Sequence, residues 1–271
     1  MTPSARLTAA IEVLDDIVAR RRPANDVLKD WGLSHRFAGS GDRAGISALV
    51  HDALRRRASA GFIMGSDSSR AMVLGTLHLA RGLDVNAISA LCDGGRFAPE
   101  PLTDAERAAL SGANLSGAPA WVAGDYPEWL DGEFFEAFGE GRAEELTALS
   151  SRAPVDIRVN TLKADLETVS AQLAHMKVQA AGYSPVGLRI MPLDDGRAVS
   201  VQSEPGFQKG FFEIQDEGSQ LAAILAAPDP GMQIIDLCAG GGGKTLALAA
   251  LMDNRGQIFA TDSDKRRLAP I

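Results

Sequence analysis

The chain of 271 residues has an ordinary globular composition, 45% apolar and 23% charged, which excludes a low-complexity polypeptide and points to about two domains. Its net charge of −8 argues against a broadly basic nucleic-acid coat but leaves room for a local patch. No apolar run approaches the ~20 residues of a membrane span, the two cysteines make no disulfide framework and the four histidines lack metal-ligand spacing, so a cytoplasmic monomer without membrane or metal is expected.

Met1 to Arg22 is an amphipathic helical pattern containing acids, not a signal peptide. Leu7, Ala10, Ile11, Leu14, Ile17 and Val18 recur at helical spacing, and Pro23 stops the element. A short helix follows over 24–31. After the break Gly39-Ser40-Gly41, Asp42 can cap a third helix carrying Ile46, Leu49, Val50 and Leu54. Helices over 66–81, with Met72, Val73, Leu77 and Leu79, and over 85–91 complete a compact bundle. Arg20 to Arg22, Arg55 to Arg57 and Lys265 to Arg267 are short basic runs; each is either a solvated helix end or a phosphate contact.

Residues 93–120 are rich in Gly, Ala, Pro and Ser and read as a linker, with a capping box at Thr103-Asp-Ala-Glu106. Tyr126 to Leu130 opens another helical stretch, whose Phe134, Phe135 and Phe138 are expected to pack into a core. From Pro154 the pattern changes. Val155, Ile157 and Val159 alternate with polar residues, as in a half-buried strand. A helix over 163–177 and strands over 188–191 and 198–201 make a small α+β unit. Alternation puts Arg158 and Asn160 on one face, opposite Ile157 and Val159. That face is expected to be exposed, serving either RNA contact or hydrogen bonding to solvent or a neighbouring domain. Phe211 to Ile214 is a strand, and Asp216 or Ser219 can cap the helix over 220–227.

Ile234, Ile235 and Leu237 then form a buried-strand run, Gly240 to Gly243 a four-glycine turn, and Leu246 to Met252 a helix. A second short strand, Ile258 to Ala260, leads to Asp262, at the strand end where an open α/β sheet binds ligands. Spacing separates the glycine-loop chemistries. A Walker loop needs glycine where Cys238 stands, and the dinucleotide fingerprint puts its third glycine on Thr245 or Leu246. A strand-end acid, a small-residue turn and a second acid after the next strand suit S-adenosylmethionine. The turn's main chain would face the cofactor, the helix N-terminus favours a carboxylate, and Asp262 can accept both ribose hydroxyls. The bland alternative is a tight turn without ligand, at a backbone entropy that four glycines make large.

The segment Asp236-Leu-Cys-Ala-Gly-Gly-Gly-Gly-Lys-Thr245, with Phe212 to Gln220 ahead of it, resembles the RsmB/Sun family of RNA (cytosine-5)-methyltransferases. Cys238, Lys244 and Asp262 match; Gly240 and Gly241 replace the family's usual Ala-Pro pair. The resemblance implies a cofactor site at Cys238, Ala239, Gly240, Gly241, Gly242, Gly243, Lys244 and Asp262, with S-adenosylmethionine as cofactor and RNA, ribosomal RNA in particular, as partner. Asp42-Arg43-Ala44 and Leu49 to Arg56 look like the NusB-type helical domain that stands at the N-terminus of such enzymes, which makes Arg55, Arg56 and Arg57 candidate phosphate contacts. Arg158-Val159-Asn160 matches the Arg-x-Asn element of the family's RNA-recognition-like subdomain, and Tyr126-Pro-Glu-Trp-Leu130 its usual entry segment.

The expected architecture is multidomain. An all-α NusB-like bundle with its linker occupies 1–120, a small α+β RNA-recognition-like subdomain 121–205, and the opening of a Rossmann-like α/β methyltransferase domain 206–271. In the family, an attacking cysteine thiolate, a second cysteine and a base-contacting acid lie on later strands. No catalytic residue is therefore carried over to this chain, which is expected to be inactive by itself. Cys238 belongs to the turn, and Cys92 has no activating partner in sequence. Two rivals stand beside this reading. One is a non-catalytic RNA- or protein-binding module in which the helical bundle does the work; the other is a nucleotide-hydrolysing phosphate-loop protein, disfavoured by Cys238.

Overall fold

The computed structural model describes residues 1–192 and 200–269. Among these, a helical unit ends at Arg152 and a unit of mixed structure begins at Ala153. Among the described residues, no helix is long and apolar enough to cross a membrane.

The helical unit comprises α1 (Pro3–Arg20), α2 (Ala24–Ser34), α3 (Ser40–Arg55), α4 (Arg57–Met64), α5 (Ser69–Arg81), α6 (Val85–Leu91), α7 (Asp104–Ser111), α8 (Ala120–Ala123), α9 (Asp131–Phe138) and α10 (Arg142–Ser150). Its core joins Leu7, Val13 and Leu14 of α1 to Ile46, Leu49 and Val50 of α3 and to Met72, Leu74 and Leu77 of α5. Ile88 and Leu110 close it from α6 and α7. Close packing of α4 on α5 depends on Gly75, where an added Cβ would sit 2.8 Å from the Ala60 Cα. The capping box forms as the spacing predicts: Glu106 N–H donates to Thr103 Oγ1, and Thr103 N–H to Glu106 Oε2. Asp42 does not cap α3, which begins two residues earlier with Gly39 in the cap position. Its carboxylate instead pairs with the Met1 ammonium and the Arg6 guanidinium.

One expectation changes here. Residues 121–152 pack with the helices before them. Asp125 accepts both the N–H and the Oγ of Ser59 on α4, and Thr147 Oγ1 donates to the Ala123 carbonyl. The aromatic face of α9, expected in a core, is not core: Phe135 and Phe138 are about half exposed, and Trp129 just before the helix is 78% exposed. Phe134 does pack edge-on against Tyr126.

The second unit contains β1 (Val155–Val159), α11 (Leu166–Gln172), β2 (Gln179–Ala180), β3 (Gly187–Ile190), α12 (Pro205–Gln208), β4 (Phe212–Ile214), α13 (Glu217–Leu225), β5 (Gln233–Asp236), α14 (Gly243–Leu251), β6 (Gln257–Ala260) and α15 (Lys265–Leu268). Four strands form an antiparallel sheet in the order β2-β3-β1-β4. The sheet thus continues past residue 205, because Phe212, fully buried, joins Ile157, Val159, Leu188 and Ile190 in one core with Val169 of α11 and Leu173 just after it. The strand read over 198–201 falls in part outside the described residues. The strands β5 and β6 pair in parallel, Gln233 opposite Gln257 through Asp236 opposite Ala260.

The Arg158 face of β1 is covered rather than exposed. Arg158 is only 4% accessible and Asp156 6%, because α13 packs on that side of the sheet: Glu217 N–H donates to Asp156 Oδ2. Alternation correctly separates the two faces of a strand, but it does not say whether a second helix will cover the polar one.

Candidate functional site: the glycine turn

The turn between β5 and α14 is held by its own backbone and by Asp262. Ala239 N–H donates to the Thr261 carbonyl, and Thr261 N–H to the Asp236 carbonyl, so the two parallel strand ends are stitched together. Gly240 and Gly242 have φ of 58° and 85°, the left-handed region where glycine carries no Cβ penalty. Gly240 N–H donates to Asp262 Oδ2 at 3.0 Å. Asp262 Oδ1 accepts the Asp264 N–H at 2.9 Å, and Arg267 approaches Oδ2 at 3.6 Å. The Asp264 N–H, helped by the Gly240 N–H and the Arg267 charge, holds the Asp262 carboxyl below the usual carboxylate range. The second acid of the sequence pattern is therefore joined directly to the glycine turn. The Asp262 side chain is 3% exposed beneath the more exposed Arg267, so a ligand would reach the remaining lone pairs of its carboxylate only with Arg267 displaced.

The sequence left the partners of this turn unread. Thr245 Oγ1 donates to Asp236 Oδ2 at 2.7 Å, tying α14 back to the end of β5. Lys244 Nζ donates to Ser219 Oγ at 2.7 Å, tying it to α13. Gln215 is 7% exposed: its side-chain oxygen accepts Arg158 Nε at 2.6 Å, and its Nε2 lies 3.4 Å from the position of a Gly243 Cβ. The available signal was the Gln215-Asp216 pair, whose aspartate caps α13 by accepting Ser219 N–H and so drew the reading away from its neighbour.

The residues suit a ligand that approaches the main chain. A Cβ added at Gly241 would meet nothing within 4 Å, and Gly241 and Lys244 are exposed. The first turn of α14 has no side-chain cap, so N–H groups that a helix leaves unpaired at its start remain available to an acceptor. The Cys238 thiol is free and exposed. Burial raises the pKa of the Cys92 thiol in the helical unit, the opposite of activation.

The candidate RNA residues are not gathered into one patch. Arg55 is paired with Asp52 at 2.6 Å, and Arg56 lies 3.8 Å from the buried Asp125 carboxylate. Arg57 is exposed. In the second unit, Arg158 is inside, and burial lowers its pKa. Asn160 spends both ends of its amide locally: Nδ2 donates to the Gly210 carbonyl and Oδ1 accepts the Leu162 N–H. The exposed polar face anticipated for Arg158 and Asn160 is thus corrected to a buried guanidinium and a turn-closing amide.

Two family models match the chain. The 16S rRNA methyltransferase RsmB/F model covers residues 223–271, and the ferredoxin-like domain model of RsmF/B-like methyltransferases covers 126–193. The chain is 28% identical, over an alignment of 294 residues spanning 98% of it, to a probable ribosomal RNA small subunit methyltransferase B of Synechocystis sp.. It is 35% identical over 151 residues, 54% of its length, to the 26S rRNA (cytosine-C(5))-methyltransferase nsun-1 of Caenorhabditis elegans. It spans 65% of the first relative and 22% of the second. Among solved structures, that of PH0851 superimposes with a TM-score of 0.65 at 22% identity, covering 100% of this chain and 66% of that one, a likeness of fold. The glycine turn and its strand-end acid thus lie within the segment matched by the RsmB/F model, and β1, β2 and β3 within that matched by the ferredoxin-like domain model, so these parts of the chain are similar to the RsmB/F methyltransferases.

Proposed function

We propose that the protein takes part in S-adenosylmethionine-dependent methylation of cytosine carbon 5 in RNA, with ribosomal RNA as the substrate class. The observation that carries this reading is the bond between Asp262 and the Gly240 N–H, which makes the glycine turn and the second acid one site, in a chain whose family model spans that same segment. Bound there, S-adenosylmethionine would supply an electrophilic methyl group. The main chain of Cys238, Ala239, Gly240, Gly241, Gly242 and Gly243 would pack against it, Asp262 would accept its ribose hydroxyls, and Lys244, fixed by Ser219, would stand at the exposed mouth. The finer architecture belongs to the same proposal: a NusB-like helical bundle, an RNA-recognition-like sheet, and a Rossmann-like methyltransferase portion opening at β5. For RNA contact, Arg57 is the strongest of the named arginines, because Arg55 and Arg56 already face carboxylates.

The test is transfer of labelled methyl from S-adenosylmethionine to small-subunit ribosomal RNA by the protein expressed from its complete reading frame, followed by bisulfite sequencing. New bisulfite-resistant cytosines that disappear in the Asp262→Ala protein are expected. Methyl transfer to another base, or to no RNA, would overturn the reading.

A further inference from the structure

Gln215 bonds to both the small sheet and α13 and stands beside the glycine turn. Its N–H donates to the Asp156 carbonyl of β1 at 3.0 Å, and its carbonyl accepts Gln220 Nε2 of α13 at 2.8 Å. Its side-chain oxygen accepts Arg158 Nε at 2.6 Å. The first two bonds hold the Gln215 backbone and the third orients its side chain, which leaves a single polar group to assign, the amide Nε2. That group makes no hydrogen bond among the described residues, although Gln215 is only 7% exposed. It stands beside Gly243, the first residue of α14, 3.4 Å from where a Cβ would be.

Solvent still reaches this unpaired donor, since the buried unpaired side-chain atoms among the described residues are Trp31 Nε1, Thr76 Oγ1 and Arg158 Nη2, and it stands beside the uncapped N-terminus of a nine-residue helix, where unpaired N–H groups also favour negative charge. Behind it lies the Arg158 guanidinium, 4% exposed and with a second nitrogen also unpaired. A cation bonded to the amide oxygen polarises the amide and makes its N–H a stronger donor. Charge and donors therefore converge on the start of α14 from the helix and from the side chain alike.

We propose that Gln215 is a cofactor-binding residue whose Nε2 donates to the carboxylate at the methionine end of S-adenosylmethionine, with Arg158 as the positioning residue that holds and polarises it. The assignment rests on the cofactor reading above. It explains why an arginine is buried on β1 without a carboxylate in hydrogen-bond contact: its work is done through the amide.

The experiment compares two ligands by titration calorimetry on the protein expressed from its complete reading frame: S-adenosylmethionine, and 5′-methylthioadenosine, which has the same nucleoside and no carboxylate. Gln215→Glu keeps an oxygen for Arg158 but removes the donor; Gln215→Met removes both with little change of length. Circular dichroism melting accompanies each variant. A hydrogen bond to a charged group predicts at least a tenfold loss of S-adenosylmethionine affinity in both variants, greater for glutamate, with 5′-methylthioadenosine unchanged within twofold. Unchanged affinity for S-adenosylmethionine, or an equal loss for both ligands, would overturn the assignment while leaving the cofactor reading standing. Wild-type protein that binds neither ligand would overturn both.

Discussion

Replacing Asp156 by asparagine probes the polar contact between β1, β3 and α13. The carboxylate lies directly opposite Arg189 in the antiparallel register. It accepts Arg189 Nε at 2.6 Å and Nη2 at 2.8 Å, together with the Glu217 N–H at 3.0 Å. Glu217 Oε2 approaches the same guanidinium at 3.1 Å. Asparagine keeps the size and one acceptor but turns the other into a donor facing a donor, and it leaves Glu217 as the one carboxylate among the described residues bonded to Arg189. Breaking a buried pair by removing one partner costs about 3–5 kcal/mol; because the Arg189 side chain is one-third exposed, about 2–4 kcal/mol is the expectation here. The Arg189 hydrogen bonds, followed by the Glu217 N–H, hold the Asp156 carboxyl below its ordinary value. A depressed folded pKa contributes stability that is full above the unfolded value of about 4 and is lost as pH falls through the folded value. The gap between wild type and Asp156→Asn should therefore be constant from pH 7 to about pH 5 and narrow below about pH 4. Urea unfolding followed by circular dichroism, with hydrogen exchange of peptides spanning β1 and β3, measures it. A gap under about 1 kcal/mol at pH 7, or one that does not narrow in acid, would refute the account.

Three further outcomes follow from named contacts. Gly75→Leu should destabilise the helical unit by about 2 kcal/mol or more, since its Cβ would meet the Ala60 backbone rather than a movable side chain; tryptophan fluorescence in urea reads this through Trp31 and Trp121. Thr103→Ala should cost about 1 kcal/mol by removing the cap on α7, seen as faster amide exchange in its first turn. Gly242→Ala, at a φ of 85°, should cost about 1–2 kcal/mol and weaken S-adenosylmethionine binding measured by calorimetry; an unchanged affinity would show that the turn tolerates a Cβ.

The glycine turn was legible because its requirements are local. Gly240 and Gly242 occupy left-handed φ, Asp262 follows β6 by two residues, and backbone geometry brings a parallel strand end beside its neighbour. The capping box at Thr103 and the apolar stripe of α5 were legible for the same reason: their partners lie within a turn or two of sequence. Arg158 was misread because its fate depended on α13, which packs over the polar face of β1 from nearly sixty residues away. The aromatic face of α9 was misread in the opposite sense, since an apolar stripe states a capacity to be buried and does not supply the element that buries it.

By itself, the sequence determined the helical first part, the strands β1, β3 and β4, the parallel pair and the glycine turn with its acid, because propensity, periodicity and backbone sterics act over a few residues. Only the tertiary structure decided that Arg158 is interior, that Asn160 closes a turn, and that Gln215 presents a lone donor to the start of α14. Those outcomes depend on which distant surfaces remove water from a side chain, and desolvation is a property of the packed chain, not of any stretch of it.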